Sequence, residues 1–216
     1  NAYKGTTDAY LTYPTAGLLG NEFTAAFWYK VEASPDRAGI IIIGDDADDR
    51  FQGLRLFREG NTTNQTIKAN VGIGSGESWN DGGVIDVTAG GWVHIALSIS
   101  ATQSTIFFNG VAVRTAALSS PVDWTGCDEL VIGSGGPTFS YWNHKSDSSP
   151  IDELRLFNKA LTETDIQNMI NVTNPYTGEF DGEMFYLPFD GDTKNKFTNA
   201  EATMIGTTGF AGESIR

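Results

Sequence analysis

The chain has 216 residues, 40% of them hydrophobic, and a formal net charge of −13. Its length suits one large domain with a substantial core, and the acidic balance argues against nucleic acid and anionic membrane surfaces as partners, because phosphate binding needs clustered Lys and Arg. No membrane insertion is expected, since no stretch approaches the ~20 apolar residues of a membrane span, and the single Cys127 cannot form an intramolecular disulfide.

Apolar and polar residues alternate along much of the chain, with the period of two that is typical of strands with one buried face. The stretches 45–51, 74–83, 116–128 and 134–150 are rich in Gly, Ser and other polar residues and predict loops. The predicted strands, in chain order, are 9–13, 23–31, 39–44, 52–58, 66–73, 84–87, 92–99, 104–108, 111–115, 129–133 and 151–157.

Two local motifs predict a turn and a helix at defined positions among these strands. Asn109-Gly110 separates two runs of β-branched and aromatic residues, which is the strongest short-range signal for a hairpin. Thr162, followed three residues later by Asp165, forms a capping box and predicts a helix over 162–170 with Ile166 and Met169 on its buried face. The sequence therefore predicts an all-β sandwich of two antiparallel sheets with one short helix.

Four segments in this order resemble a laminin-G-like domain of the concanavalin A-like lectin/glucanase superfamily. They are FTAAFWYKV (Phe23 to Val31), GWVHIALSIS with TIFFNGVAV, ELVIGSG, and PIDELRLFNKALTETDIQNM. The resemblance covers about 170 residues. It implies a concanavalin A-like jelly roll with one concave face, often a structural calcium ion, and usually glycan or protein binding.

The two ends of the chain look exchanged relative to this family. After a linker at 175–182, residues 183–216 resemble the first strand of the domain, and residues 1–174 carry the rest of the sandwich. A circular permutant, two tandem repeats, or two cleaved pieces given out of order would each explain this arrangement. We expect Met184 to Phe189 to add a strand to the same sandwich, with a second repeat as the alternative. Since the chain begins with Asn, we interpret it as a mature or trimmed product.

Candidate catalytic residues are few. Glucanases of the superfamily carry paired carboxylates along a strand, and Glu179-Phe180-Asp181-Gly182-Glu183 matches that spacing. Its place beside a Pro-Gly-rich turn favours an acidic linker instead. His94 alternates with core residues and is expected to be structural, and no Ser-His-Asp set or zinc-binding pattern is present. We therefore expect no enzyme activity.

The resemblance implies a structural calcium ion held by Asp190, in PFDGD, and by Asp152, in PIDEL. Backbone carbonyls would complete the six to eight oxygen ligands that calcium prefers. The acidic cluster at 45–49 is a second candidate, but its spacing does not match an EF-hand loop and favours a solvated loop.

Aromatic side chains in polar loops are the candidate ligand surface, because sugars bind to flat aromatic rings and planar polar groups. Trp28 and Trp92 lie in alternating strands and are expected in the core. Arg55, between Leu54 and Leu56, is expected to present its guanidinium on a sheet face. The predicted ligand-binding residues are Trp79, Asn80, Asp81, Tyr141, Trp142, Asn143, His144 and Arg55.

These observations lead to one main function and two rivals. The main hypothesis is a non-catalytic carbohydrate- or polysaccharide-binding module of a secreted or cell-surface protein. An adhesive or structural module that binds protein is the alternative, and a glycoside hydrolase using Glu179 and Glu183 is the minor one.

Overall fold

A computed structural model describes residues 1–6, 8–44, 50–136, 139, 146–172 and 180–215. Within these residues the chain forms strands, one α-helix and one short 3₁₀ turn (Val87–Ala89). The elements, in chain order, are β1 (Ala2–Lys4), β2 (Tyr10–Pro14), β3 (Phe23–Tyr29), β4 (Arg37–Gly44), β5 (Leu54–Gly60), β6 (Asn64–Gly72), β7 (Glu77–Asp86), β8 (Val93–Ile99), β9 (Gln103–Phe108), β10 (Val111–Ala117), β11 (Glu129–Ile132), β12 (Ile151–Phe157), α1 (Glu163–Ile170), β13 (Glu183–Leu187), β14 (Thr203–Ile205) and β15 (Gly209–Ala211).

The described strands pair antiparallel in two sheets. An eight-stranded sheet has the order β10-β9-β8-β3-β12-β1-β15, with β13 also paired to β12. A seven-stranded sheet has the order β14-β2-β11-β4-β5-β6-β7. The predicted two-sheet, all-β sandwich with a single helix is confirmed.

Alternation of side chains builds the core between the sheets. Phe27 and Tyr29 of β3, Ile41 and Ile43 of β4, and Leu97 of β8 are buried in one apolar cluster that both sheets supply. Because successive side chains of a strand point to opposite faces, the residues between them lie on the outer faces. A ligand that binds to either sheet therefore meets the side chains of these two outer faces.

The two local motifs have the predicted geometry. Asn109 and Gly110 both have positive φ, as a type I′ turn requires, and they join β9 to β10. Thr162 caps α1 through a complete capping box with Asp165. Ile166 and Met169 of α1 pack on the outer face of the eight-stranded sheet.

Residues 183–215 lie in the same sandwich as the rest of the described chain. β13 pairs with β12, β14 with β2, and β15 with β1. The Phe185 ring packs edge-on against Tyr13, with centroids 5.0 Å apart, and Phe189 lies 5.5 Å from Tyr3. The segments β1, β14 and β15 have three residues each, which is too short for a periodic pattern to predict them.

The predicted loop at 74–83 is wrong for most of its length, because residues 77–86 form the edge strand β7. Gly74, at φ +78°, lies in the tight turn that folds β7 back onto β6. The polar, Gly-rich composition suited a loop prediction, but an edge strand needs only backbone pairing on one side and tolerates polar side chains.

The two strand tryptophans also differ from the expectation that both lie in the core. Trp28 points outward between the inward Phe27 and Tyr29, and its ring packs edge-on against His94 at 5.3 Å. Trp92 precedes β8 and is half-buried. The alternating pattern was correct, but it does not by itself show which phase points inward.

Candidate ligand-binding face of the seven-stranded sheet

A straight row of side chains crosses the outer face of the seven-stranded sheet near its β7 edge. Arg55 on β5 pairs with Asn70 on β6, which pairs with Trp79 on β7. Their neighbours in sequence, such as Leu54 and Val71, are in the core, so the row faces outward. The fold thus brings together two predicted ligand residues, Arg55 and Trp79, that are 24 positions apart in the sequence.

Trp79 stands at the end of this row on an aromatic base. Its half-buried ring meets Phe57 edge-on, with centroids 6.1 Å apart and planes at 85°, and Phe57 lies 5.5 Å from Phe139. Edge-to-face packing holds a ring in one orientation. Trp79 is therefore a fixed, partly exposed aromatic surface.

A carboxylate is held next to this ring. Glu77 precedes Trp79 by two residues and so shares its face. Its Oε2 accepts a hydrogen bond of 2.6 Å from Asn70 Nδ2, and its Oε1 lies 3.4 Å from the Arg50 guanidinium. These contacts orient a partly exposed acceptor beside the ring.

A second set of charges lies on the other side of Trp79. Lys68 Nζ is 2.7 Å from Glu59 Oε1 and 3.7 Å from Asp81 Oδ1. Asp81 follows Trp79 by two residues on the same face and is exposed. The aromatic surface is thus bordered on both sides by polar groups whose positions are fixed by ion pairs.

Arg55 and Asn70 lie below this surface rather than at it, so the expectation that Arg55 presents its guanidinium to a ligand is wrong. Both are completely buried, and the Arg55 guanidinium lies 5.8 Å from the centre of the Phe139 ring. Among the residues that the structure describes, no donor reaches the buried Asn70 Oδ1 or Gln52 Oε1. Buried acceptors of this kind usually meet water or a ligand.

Asn80 does not belong to the outer face, and the expectation that it contacts a ligand is wrong. It is completely buried between the sheets, where its Nδ2 donates a 3.0 Å hydrogen bond to the Ser104 carbonyl. Strand alternation turns Asn80 inward where Trp79 and Asp81 turn outward, whereas a loop would have allowed all three to share one surface. Four further predicted residues lie outside the described residues: Tyr141, Trp142, Asn143 and His144.

Sequence reasoning missed five residues of this face: Phe57, Glu77, Asn70, Lys68 and Arg50. The alternation around Arg55 could have shown Phe57, two positions further along β5. Glu77 was missed because residues 74–83 were predicted to form a loop, and Asn70, in the predicted strand 66–73, was missed because its neighbour across the sheet was unknown. The pairing of β6 with β7 belongs to the tertiary structure, and the sequence pattern of β7 does not show it.

The two predicted calcium ligands lie near the first residue of the chain. Asp190 Oδ1 is 3.7 Å from the amino group of Asn1. Asp152 is buried and accepts hydrogen bonds from Ser214 and Ile215, and burial raises its pKa to about 6. In the described part of the chain, no three His, Cys, Asp or Glu residues gather as a metal site would need. These residues alone do not make a calcium site, and calcium stays a prediction. The acidic cluster at 45–49 lies outside the described residues.

Of the predicted catalytic pair, Glu179 and Glu183, the structure describes only Glu183. Glu183 is almost completely buried and forms an ion pair with Arg155, whose guanidinium lies 3.6 Å from the centre of the Tyr186 ring. Glu179 lies outside the described residues. His94 packs on the same outer face of the eight-stranded sheet, where burial and the nearby Arg155 charge lower its pKa to about 3. This is a buried charge cluster that joins β12 to β13.

Comparisons with known proteins agree with this architecture. The Laminin_G_3 model of the concanavalin A-like lectin/glucanases superfamily matches residues 4–167. No curated protein sequence matches the chain. No described helix has the length and apolar character needed to cross a membrane.

Three solved structures with similar folds are described as carbohydrate-binding or come from enzymes that act on carbohydrates. A candidate carbohydrate-binding protein from Bacteroides ovatus has a TM-score of 0.63 at 16% identity, covering all of this chain and 61% of its own. The CBM40 of the Ruminococcus gnavus IT-sialidase has a TM-score of 0.58 at 11% identity, covering 79% of this chain and 97% of its own. Domain 4 of the arabinanase AbnA from Geobacillus stearothermophilus, solved with arabinotriose, has a TM-score of 0.50 at 23% identity, covering 70% of this chain and 68% of its own. At these identities the likeness shows the fold.

Proposed function

The chain belongs to the concanavalin A-like lectin/glucanases superfamily, and from this premise we propose that it is a non-catalytic carbohydrate-binding module of a secreted or cell-surface protein. The ligand is a glycan or polysaccharide, and it binds on the outer face of the seven-stranded sheet at Trp79.

The observation that carries this proposal is the setting of Trp79. Its partly exposed ring is held on Phe57 and bordered by Glu77 on one side and by Lys68 and Asp81 on the other. A sugar ring has an apolar face and a rim of hydroxyl groups. The Trp79 ring fits the apolar face, and the oriented charged groups can donate to and accept from the hydroxyls.

Charge on this face favours a neutral sugar. Lys68 lies within 4 Å of two carboxylates, and Arg50 lies 3.4 Å from Glu77. The two cations are thus matched by acids, and the chain as a whole carries −13. An acidic polysaccharide would be repelled at long range.

A binding role suits the chemistry of the described residues better than hydrolysis. A retaining glycosidase needs two carboxyl groups ~5 Å apart that both face the substrate. Glu183 instead lies buried against Arg155. The carbohydrate-binding descriptions of the similar structures point in the same direction.

The proposal is tested by affinity electrophoresis through gels that contain neutral polysaccharides such as arabinan, xylan, β-glucan or starch. The protein should be retarded by at least one of them, and Trp79→Ala should lose about tenfold or more in affinity. Phe210→Ala is the matched control, because it removes a ring that is 38% exposed on another strand, β15. Equal retardation of Trp79→Ala and the parent would remove this face as the binding site, and no retardation on any polysaccharide would remove the proposed function.

One observation favours the alternative of a protein-binding, adhesive module. Met204 and Ile205 on β14 are 59% and 37% exposed, and Phe210 on β15 is 38% exposed. These strands are edges of the two sheets, where apolar side chains suit a partner. Under this alternative, Met204→Ser with Phe210→Ser would abolish adhesion to a protein-coated surface and leave polysaccharide retardation unchanged.

A further inference from the structure

A groove lies on the outer face of the eight-stranded sheet, on the opposite side of the sandwich from Trp79. It runs between β8, β9 and β10 and the segment 160–163 that leads into α1, and its volume is about 410 Å³. Pockets that hold small molecules usually measure ~300–1,000 Å³. The groove is therefore large enough for a sugar unit.

A row of hydroxyl side chains crosses the floor of the groove. Thr24, Ser98, Thr105 and Thr115 face one another on four neighbouring strands. The Thr105 and Thr115 hydroxyls lie 3.0 Å apart and bond to each other. Ser98, between Thr24 and Thr105, lines the groove, and Phe107 forms an apolar part of the same floor.

Thr24, the first residue of that row, holds the segment 160–163 that forms the wall of the groove. Thr24 Oγ1 donates to the Lys159 carbonyl at 2.7 Å and accepts from the Leu161 amide at 3.0 Å. The Ala160 amide donates to Glu22 Oε2 at 3.1 Å. Because these bonds hold the segment against the sheet, the groove exists without ligand, and binding does not have to order it.

The lining suits a hydroxylated ligand that carries no negative charge. Its polar groups include Ser98, Gln103 and Thr105, the carboxylate of Glu163 also lines it, and no Lys or Arg is among the described residues that do. Neutral hydroxyls and an amide both donate and accept hydrogen bonds, as sugar hydroxyls do. Phe107 and Leu161 supply apolar contact for the carbon-bound face of a ring.

We propose that this groove is a second saccharide-binding site, which takes one neutral sugar unit, so that the module binds glycan on both faces of the sandwich. The proposal takes its ligand class from the proposed function. Since the two sites face opposite directions, one short oligosaccharide cannot reach both, and a polysaccharide would be cross-linked by the protein.

The test is a titration of the whole chain with neutral arabino-, xylo-, cello- and malto-oligosaccharides, followed by calorimetry for stoichiometry and by amide chemical shifts for location. The variant Ser98→Ala with Gln103→Ala removes two polar groups of the groove without adding bulk. Thr102→Ala is the matched control, because Thr102 is exposed in the same hairpin and does not line the groove. Light scattering with the matching polysaccharide measures cross-linking.

We expect two equivalents of oligosaccharide per chain, with shifts at residues 98–105 as well as at 77–81. The double variant should keep one equivalent and lose cross-linking, with about tenfold weaker binding in the groove, while Thr102→Ala behaves as the parent. One equivalent that disappears in Trp79→Ala, with no shifts at 98–105, would overturn the second site and leave the proposed function intact. Binding that survives in Trp79→Ala but not in the double variant would support the groove and remove the Trp79 face. Absence of any binding would overturn both.

Discussion

Arg58 and Asp147 form an ion pair in which both side chains are completely buried, with Nη2 2.9 Å from Oδ1. Arg58 also donates to Tyr29 Oη at 2.9 Å and to Gln65 Oε1 at 2.8 Å. The pair ties the segment before β12 to β5, at one end of the sandwich. A buried charge is tolerated only with a partner of this kind.

Replacing Asp147 by Ala should therefore lower the free energy of unfolding by about 3–5 kcal/mol, because it leaves the Arg58 charge buried without its carboxylate. Urea denaturation followed by tryptophan fluorescence measures this loss. Asp181→Ala is the control, since Asp181 pairs with Lys159 at an exposed site and should change little. A stability loss no larger than that of the control would show that the pair does not hold the segment.

Glu77 should matter for affinity more than for stability. Its carboxylate accepts from Asn70 beside the Trp79 ring and is partly exposed. Glu77→Gln keeps the shape but removes the charge, and it should weaken polysaccharide binding about tenfold if the carboxylate accepts from a sugar hydroxyl. Calorimetry measures the affinity, and thermal unfolding checks that Tm is nearly unchanged. Unchanged affinity would restrict the site to the aromatic ring.

His94 should stay neutral throughout the physiological range, because burial and the Arg155 charge lower its pKa to about 3. Nitrogen-detected NMR of the imidazole should show no titration of His94 between pH 5 and 8. Its folded pKa lies below the unfolded value of about 6.5, so its contribution to stability is present above pH 6.5 and is lost as pH falls towards 3. A midpoint near 6.5 would show that the ring is in contact with water.

Asp152 should have the opposite effect to His94, because its contribution to stability should increase as pH falls. Burial raises its pKa to about 6, so its contribution to stability is present below about pH 4 and is lost as pH rises through 6. Asp152→Asn removes this contribution, and the variant should lose stability on acidification more steeply than the parent. Chemical denaturation between pH 4 and 7, in the presence of EGTA, measures both slopes. Parallel slopes would contradict the raised pKa.

Calcium binding by Asp152 and Asp190 has a direct test. If both carboxylates bind the ion, millimolar Ca²⁺ should raise the Tm of the parent and not of Asp190→Ala, since a ligand that binds only the folded state stabilises it. Equal Tm values with Ca²⁺ and with EGTA would remove the prediction.

The sequence predicted most of the strands because their pattern depends on neighbours in the chain. Residues 151–157 form β12 as predicted, and the capping box and the Asn109-Gly110 turn have their expected geometry. Only the end of β7 was predicted, by the strand at 84–87. Residues 77–83 were missed because they become a strand through backbone pairing with β6, and no pattern within 77–86 shows that pairing.

By itself the sequence determined the class of the fold, since the period of two requires sheets with one buried face. Only the tertiary structure decided which side chains share a surface. Arg55, Asn70 and Trp79 form one row because three strands align in register, and Asn80 turns inward because a strand alternates its side chains. Register is set by packing of the whole sandwich, and a difference of one residue moves a side chain to the opposite face.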